Sequence, residues 1–125
     1  MYKAEASKDK PHPTAFCALG QLYEEGKWVQ KDLNKAVNYF KKAADMKNSE
    51  GQYKMGQYLE KGMINSKEYF SGMYPNREAE IRAAIEYYEK AAKQGHLDAM
   101  TDLGYIYERG VMNESHTSYF IEPHP

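Results

Sequence analysis

A chain of 125 residues has room for one domain, and a composition 42% hydrophobic and 28% charged is that of an ordinary globular protein. Seventeen basic against eighteen acidic side chains leave a formal charge of −1, which gives no field to draw nucleic acid or an anionic membrane surface. One cysteine, Cys17, excludes an internal disulfide, so a stapled secreted scaffold is ruled out and a reducing, cytoplasmic setting is the expectation.

Residues 1–14 form an N-terminal segment. Met1 to Pro13 is polar and lacks the apolar stretch of a secretory signal, and no later run reaches transmembrane length. Tyr2-Lys3-Ala4-Glu5-Ala6 looks like the close of a helix resembling Tyr39 to Ala44, ahead of a Pro11-His12-Pro13 turn.

From Ala15 onward the chain repeats itself. Leu19-Gly20-Gln21-Leu22-Tyr23-Glu24-Glu25-Gly26 aligns without gaps with Met55 to Gly62 and with Leu103 to Gly110. The interior glycines, Gly20, Gly56 and Gly104, are 36 and then 48 residues apart. A second pair of segments, Lys35 to Ala44 and Ala83 to Ala92, repeats at 48, so 12 extra residues lie between Gly62 and Ala83. Apolar residues recur at helical spacing in both types: Ala15, Leu19, Leu22 and Tyr23 in the first, Ala36, Tyr39, Phe40 and Ala43 in the second.

Gly26, Gly62 and Gly110 follow the periodic stretches, where a left-handed residue satisfies orphan helix carbonyls. Asp32 and Asn76 are placed to cap the second-type helices. Interior glycine costs about 1 kcal/mol relative to alanine in a helix, so Gly20, Gly56 and Gly104 imply close approach of a neighbouring helix. Such pairs cannot bury their faces alone, which predicts an all-α fold of stacked, antiparallel helix pairs, about two and a half repeats long. The repeat domain spans 15–110 with an insertion at 63–75, and 111–125 is a C-terminal tail without the Lys-Ala…Ala-Ala pattern.

These residues resemble the Sel-one-like repeats (SLR), relatives of the tetratricopeptide repeats. Ala15, Leu19, Gly20, Tyr23 and Gly26, and again Ala99, Leu103, Gly104, Tyr107 and Gly110, match the first helix of that pattern. Val29, Asp32, Lys35, Ala36, Lys42, Ala43 and Ala44 match its linker and second helix. Trp28 stands where the pattern has glycine, Gly51 replaces the leading alanine, and Tyr58-Leu59 inverts the usual order.

The resemblance implies an α-solenoid with a tetratricopeptide-like superhelix and a role as adaptor or scaffold, binding another protein or a peptide. First helices of such pairs line the concave side. The residues opposite Leu19 and Tyr23 and their equivalents are then the groove floor: Cys17, Gln21, Glu24, Tyr53, Gln57, Glu60, Thr101, Tyr105 and Glu108. The row Glu24, Glu60, Glu108 would make it acidic and suited to a basic peptide or helix. Solvated helix faces with no partner are the alternative.

The insertion carries a second candidate surface. Tyr69, Phe70, Met73 and Tyr74 are either partner contacts or side chains folded back over the adjacent helices.

Catalytic signals are missing. His12, His96, His116 and His124 are scattered without ligands at metal spacing, so no metal and no cofactor are expected. No Gly-x-Ser-x-Gly elbow, His-Glu-x-x-His string or phosphate-binding loop occurs, and Cys17 has no base that sequence can show. The expectation is a non-enzyme. The alternatives are a weak hydrolase similar to bacterial β-lactam-binding relatives, and a self-associating fragment of a longer array with unpaired terminal helices.

Overall fold

The computed structural model describes residues 12–112 and 119–123. The helix end expected at Tyr2 to Ala6, and His116 and His124, lie outside these residues. Among the described residues six helices follow one another: α1 (Pro13–Glu25), α2 (Leu33–Asp45), α3 (Ser49–Glu60), a single turn α4 (Ser66–Phe70), α5 (Arg77–Lys93) and α6 (Leu97–Arg109). Two short strands, β1 (Val111–Met112) and β2 (Tyr119–Ile121), come after them.

The helix boundaries are set by side chains that replace missing backbone partners. Pro13 opens α1, its fixed φ suiting the first turn. The Asp32 carboxylate accepts from the Lys35 amide at 3.2 Å and the Asn76 side chain from the Ala79 amide at 2.8 Å, as the sequence predicted. Asn48 accepts from the Gly51 amide at 2.9 Å, and 48 residues later His96 accepts through Nδ1 from the Ala99 amide at 3.2 Å. His96 is therefore a helix cap. At the other ends, Gly26 (φ 72°) closes α1 by donating to Leu22, and Gly62 (φ 64°) follows α3.

The chain forms two compact units, Met1–Met55 and Gly56–Pro125, divided inside α3. In the first, α1 packs on α2 around Ala15, Ala36, Val37, Phe40, Ala43 and Ala44, all buried. Gly20 makes this possible: a Cβ there would lie 3.0–3.1 Å from the Phe40 ring. Tyr39 stacks between Phe16 and Tyr23, with ring centroids 6.1 and 5.9 Å away. Gly51 is more constrained still, because a Cβ would come within 2.6 Å of the Ala44 nitrogen and 2.8 Å of the Ala43 Cβ. The departure from alanine at this position has a steric cause.

In the second unit Tyr58, Leu59, Ile81, Ala84, Ile85, Tyr88, Ala91, Ala99, Leu103 and Ile106 form the core. Tyr88 lies over Gly56 as Phe40 lies over Gly20, 2.8 Å from where a Cβ would be. The insertion carries α4, whose buried Ser66 donates to Glu80 at 2.6 Å. The Arg77 guanidinium donates to the carbonyls of Leu59 and Glu60, a cation on the negative end of α3. After Gly110 the chain pairs Val111 with Ile121 and Met112 with Tyr119 in an antiparallel, bulged ribbon. The body is all-α as expected. The β-branched and aromatic residues of the tail favour this short pairing over a further helix.

Candidate protein-binding surfaces

The nine positions expected to line a groove are not equally available. In the first unit Gln21 is exposed and donates to Glu25 one turn on, at 3.1 Å. Cys17 is half-buried, with Sγ 3.2 Å from the Asn48 side-chain oxygen. Burial, reinforced by the nearby Glu50 carboxylate, pushes its thiol up to about 11, while a bond from Gly51 acts against this. A thiol so far from ionising is no nucleophile at neutral pH. Glu24 is bound by Lys54 at 2.8 and 3.1 Å.

Tyr53 corrects the expectation outright. It is only 9% exposed and belongs to the core. Gly51, Gln52, Tyr53 and Met55 are all buried, so this part of α3 has no solvent face and the simple opposition of core and groove fails there.

In the second unit Gln57 is half-buried, and Glu60 accepts from the Tyr88 hydroxyl at 2.6 Å and pairs with Arg109 at 3.4 Å. The acidic row is thus neutralised at Glu24 and Glu60, each within its own unit, which removes most of the argument for a basic ligand. Thr101, Tyr105 and Glu108 on α6 are exposed as expected, Tyr105 by 60%. Thr101 turns its hydroxyl back to the Leu97 carbonyl at 3.0 Å.

The insertion divides in the same way. Phe70 is buried, with the rings of Tyr74 and Tyr87 at 5.0 and 6.4 Å, so of the two readings it follows the folded-back one and is a packing residue, not a partner contact. Tyr69 and Tyr74 are half-buried. The Tyr74 hydroxyl is pushed up by burial and by Glu86. Met73 alone of the four is exposed, by 68%.

Sequence reasoning missed the most exposed large hydrophobic side chain among the described residues. Trp28 is 87% exposed and holds a left-handed backbone, φ 64°. That conformation costs a non-glycine residue on the order of 1–2 kcal/mol. Lys27 lies over its ring at 5.3 Å. The following residues, Val29, Gln30, Lys31 and Asp32, line a shallow cleft with Tyr23 and Lys35. The signal was present in the sequence as the tryptophan that replaces a glycine of the repeat pattern.

No group of three or more His, Cys, Asp or Glu side chains among the described residues is arranged to hold a metal ion. No described helix is long and apolar enough to cross a membrane.

Known proteins give this geometry its context. The chain is 37% identical over 68 residues to the alginate biosynthesis protein AlgK of Pseudomonas syringae pv. tomato, a match covering 54% of this chain and 13% of that protein. Among solved structures it resembles a Sel1 repeat protein from Oxalobacter formigenes, with TM-score 0.66 and 29% identity over 85% of this chain and 38% of that one. It also resembles a protective antigen of uropathogenic Escherichia coli displaying an SLR fold, with TM-score 0.68 and 26% identity over 88% of this chain and 21% of the other. The chain therefore spans well under half the length of each of these relatives. The Sel1 repeat pattern matches residues 15–48, 49–96 and 97–114. With that pattern running from residue 15 to residue 114, over most of the chain, the chain belongs to the Sel1 repeat family.

Proposed function

We propose that the chain is a non-catalytic scaffold that binds a protein partner, with Trp28 as an anchor on the first unit and Tyr105 and Met73 as contacts on the second. Sel1 repeat proteins are generally protein–protein interaction scaffolds, which supports the class of role. The single observation that carries the reading is Trp28. A large aromatic side chain held in solvent, on a backbone that glycine would hold at lower cost, buries little in this fold, whereas buried tryptophan is a frequent interface hot spot. The raised Cys17 thiol supports the non-catalytic part, since the cysteine weighed as a nucleophile from the sequence is held protonated.

The test exploits opposite signs. Trp28→Gly should stabilise the fold by about 1 kcal/mol, read as a higher melting temperature, because it relieves the left-handed strain. It should also weaken capture of the partners held by the wild-type chain. Retention of every partner at wild-type strength by a folded Trp28→Gly variant would remove Trp28 as the anchor.

A further inference from the structure

Trp28 is the chain's only tryptophan, and the cations around it say what kind of partner it would meet. Lys27, Lys31 and Lys35 are all exposed, on the turn between α1 and α2 and on the first turn of α2. None of the three forms an ion pair among the described residues. Two of the ammonium groups lie against aromatic rings instead, Lys27 over Trp28 at 5.3 Å and Lys35 over Tyr23 at 5.1 Å, contacts that orient a cation without neutralising it.

The acidic side chains of this region leave the cations unanswered. Lys31 and Lys35 line the cleft against one carboxylate, Asp32, which already accepts from the Lys35 amide at 3.2 Å. Glu24 is bound by Lys54, and Glu25 accepts from Gln21 at 3.1 Å. Val29 and the Tyr23 ring, both half-buried, supply the apolar part of the lining. The repeat itself does not demand this arrangement. Where Lys27-Trp28 follows Gly26, Met63-Ile64 follows Gly62 and Val111-Met112 follows Gly110, with no cation in either pair.

A long polyanion is a poor match. The arginines, Arg77, Arg82 and Arg109, all lie in the other unit, and with a formal charge of −1 the chain offers a nucleic acid no continuing track of cations. A short acidic segment with apolar side chains between its acids matches both the cations and the exposed indole.

We propose that the Trp28 turn and its cleft take an acidic, leucine-bearing segment of a partner protein. Its carboxylates accept from the ammonium groups of Lys31 and Lys35, and a neighbouring apolar side chain packs on the Trp28 ring. This rests on the reading of Trp28 as an anchor and names the chemistry that the anchor would meet.

The sole tryptophan is its own reporter. A synthetic peptide of repeated Glu-Glu-Leu units, titrated into the full chain, should move the Trp28 emission to shorter wavelength. A Gln-Gln-Leu peptide of the same length should bind about tenfold more weakly, and added salt should weaken only the acidic peptide. Lys31→Gln combined with Lys35→Gln should also lose about tenfold in affinity at an unchanged melting temperature, since both side chains are exposed. Lys31→Glu combined with Lys35→Glu should reverse the preference toward a Lys-Lys-Leu peptide, which damage to the fold would not do. An equal shift with the Gln-Gln-Leu peptide would leave Trp28 an anchor and overturn the acidic partner. No shift with any peptide overturns it too, and capture by the Trp28→Gly chain then decides the anchor separately. Inorganic polyphosphate binding as well as the peptide at equal charge would make the cleft a site for any polyanion, which overturns it as well.

Discussion

Gly56 and Gly104 occupy the same place in the same pattern, 48 residues apart, and live in opposite surroundings. Gly56 is buried beneath Tyr88, and the ring fills the space a side chain would have taken. Around Gly104 nothing among the described residues lies within 4 Å of where a Cβ would be, apart from its own helix backbone and chain neighbours. A repeat sequence therefore specifies the notch on each first-type helix, while the ring that fills it comes from another element and has to be present to give the notch its value. Where it is absent, glycine keeps its entropic cost and gains no packing.

Substitutions can break or sharpen that contrast. The largest effect is expected at Gly51, the most enclosed of the helical glycines, where a Cβ would meet backbone nitrogen at 2.6 Å rather than a ring able to shift. Gly51→Ala should destabilise the chain by about 3 kcal/mol in chemical denaturation, at the upper end of overpacking costs. Gly56→Ala should cost less, about 1–2 kcal/mol, because a Cβ 2.8 Å from the Tyr88 ring is partly offset by better helix propensity. Gly104→Ala should change sign and stabilise by about 1 kcal/mol, the propensity gain alone. A destabilised Gly104→Ala chain would mean that the notch is already filled, and the contrast would collapse.

The smallest expected effect concerns pH. The Cys17 thiol is held protonated, from an ordinary 9.0 up to about 11, chiefly by burial and then by Glu50. The folded chain keeps this proton where the unfolded chain gives it up, so the contribution is intact below pH 9 and is lost as pH rises toward 11. Cys17→Ser should show a shallower fall in melting temperature across that window than wild type. Identical slopes would show that the thiol titrates alike in both states.

The helix-pair repeat, the caps at Asp32 and Asn76 and the notch glycines were legible in the sequence because each is a local pattern of period, propensity or conformational freedom. Solvent exposure was not. Opposing a core face to a groove face assumes a helix packed on one side, which holds for α6, with Thr101, Tyr105 and Glu108 exposed, and fails for α3, where Tyr53 is enclosed. Lys54 and Arg109 pair with Glu24 and Glu60, two of the three acids of the row, through contacts 30 and 49 residues away in the chain, which no local pattern announces. Phe70 sat in a segment whose aromatic content was visible, but only the fold shows that it turns inward against Tyr74 and Tyr87. Trp28 was visible as an oddity, and its meaning depends on a backbone angle that sequence does not display.

The Arg77 clasp on the end of α3 bears on how this repeat tolerates change. By tying Leu59 and Glu60 to the first residue of α5, it closes the neck of the insertion independently of what the loop contains. The tip at Gly72 and Met73 projects into solvent beyond that neck, with nothing within 4 Å of a Cβ at Gly72. Such a site accepts grafted sequence: an epitope or a short recognition segment spliced there would be displayed without altering the spacing of the helices that carry it.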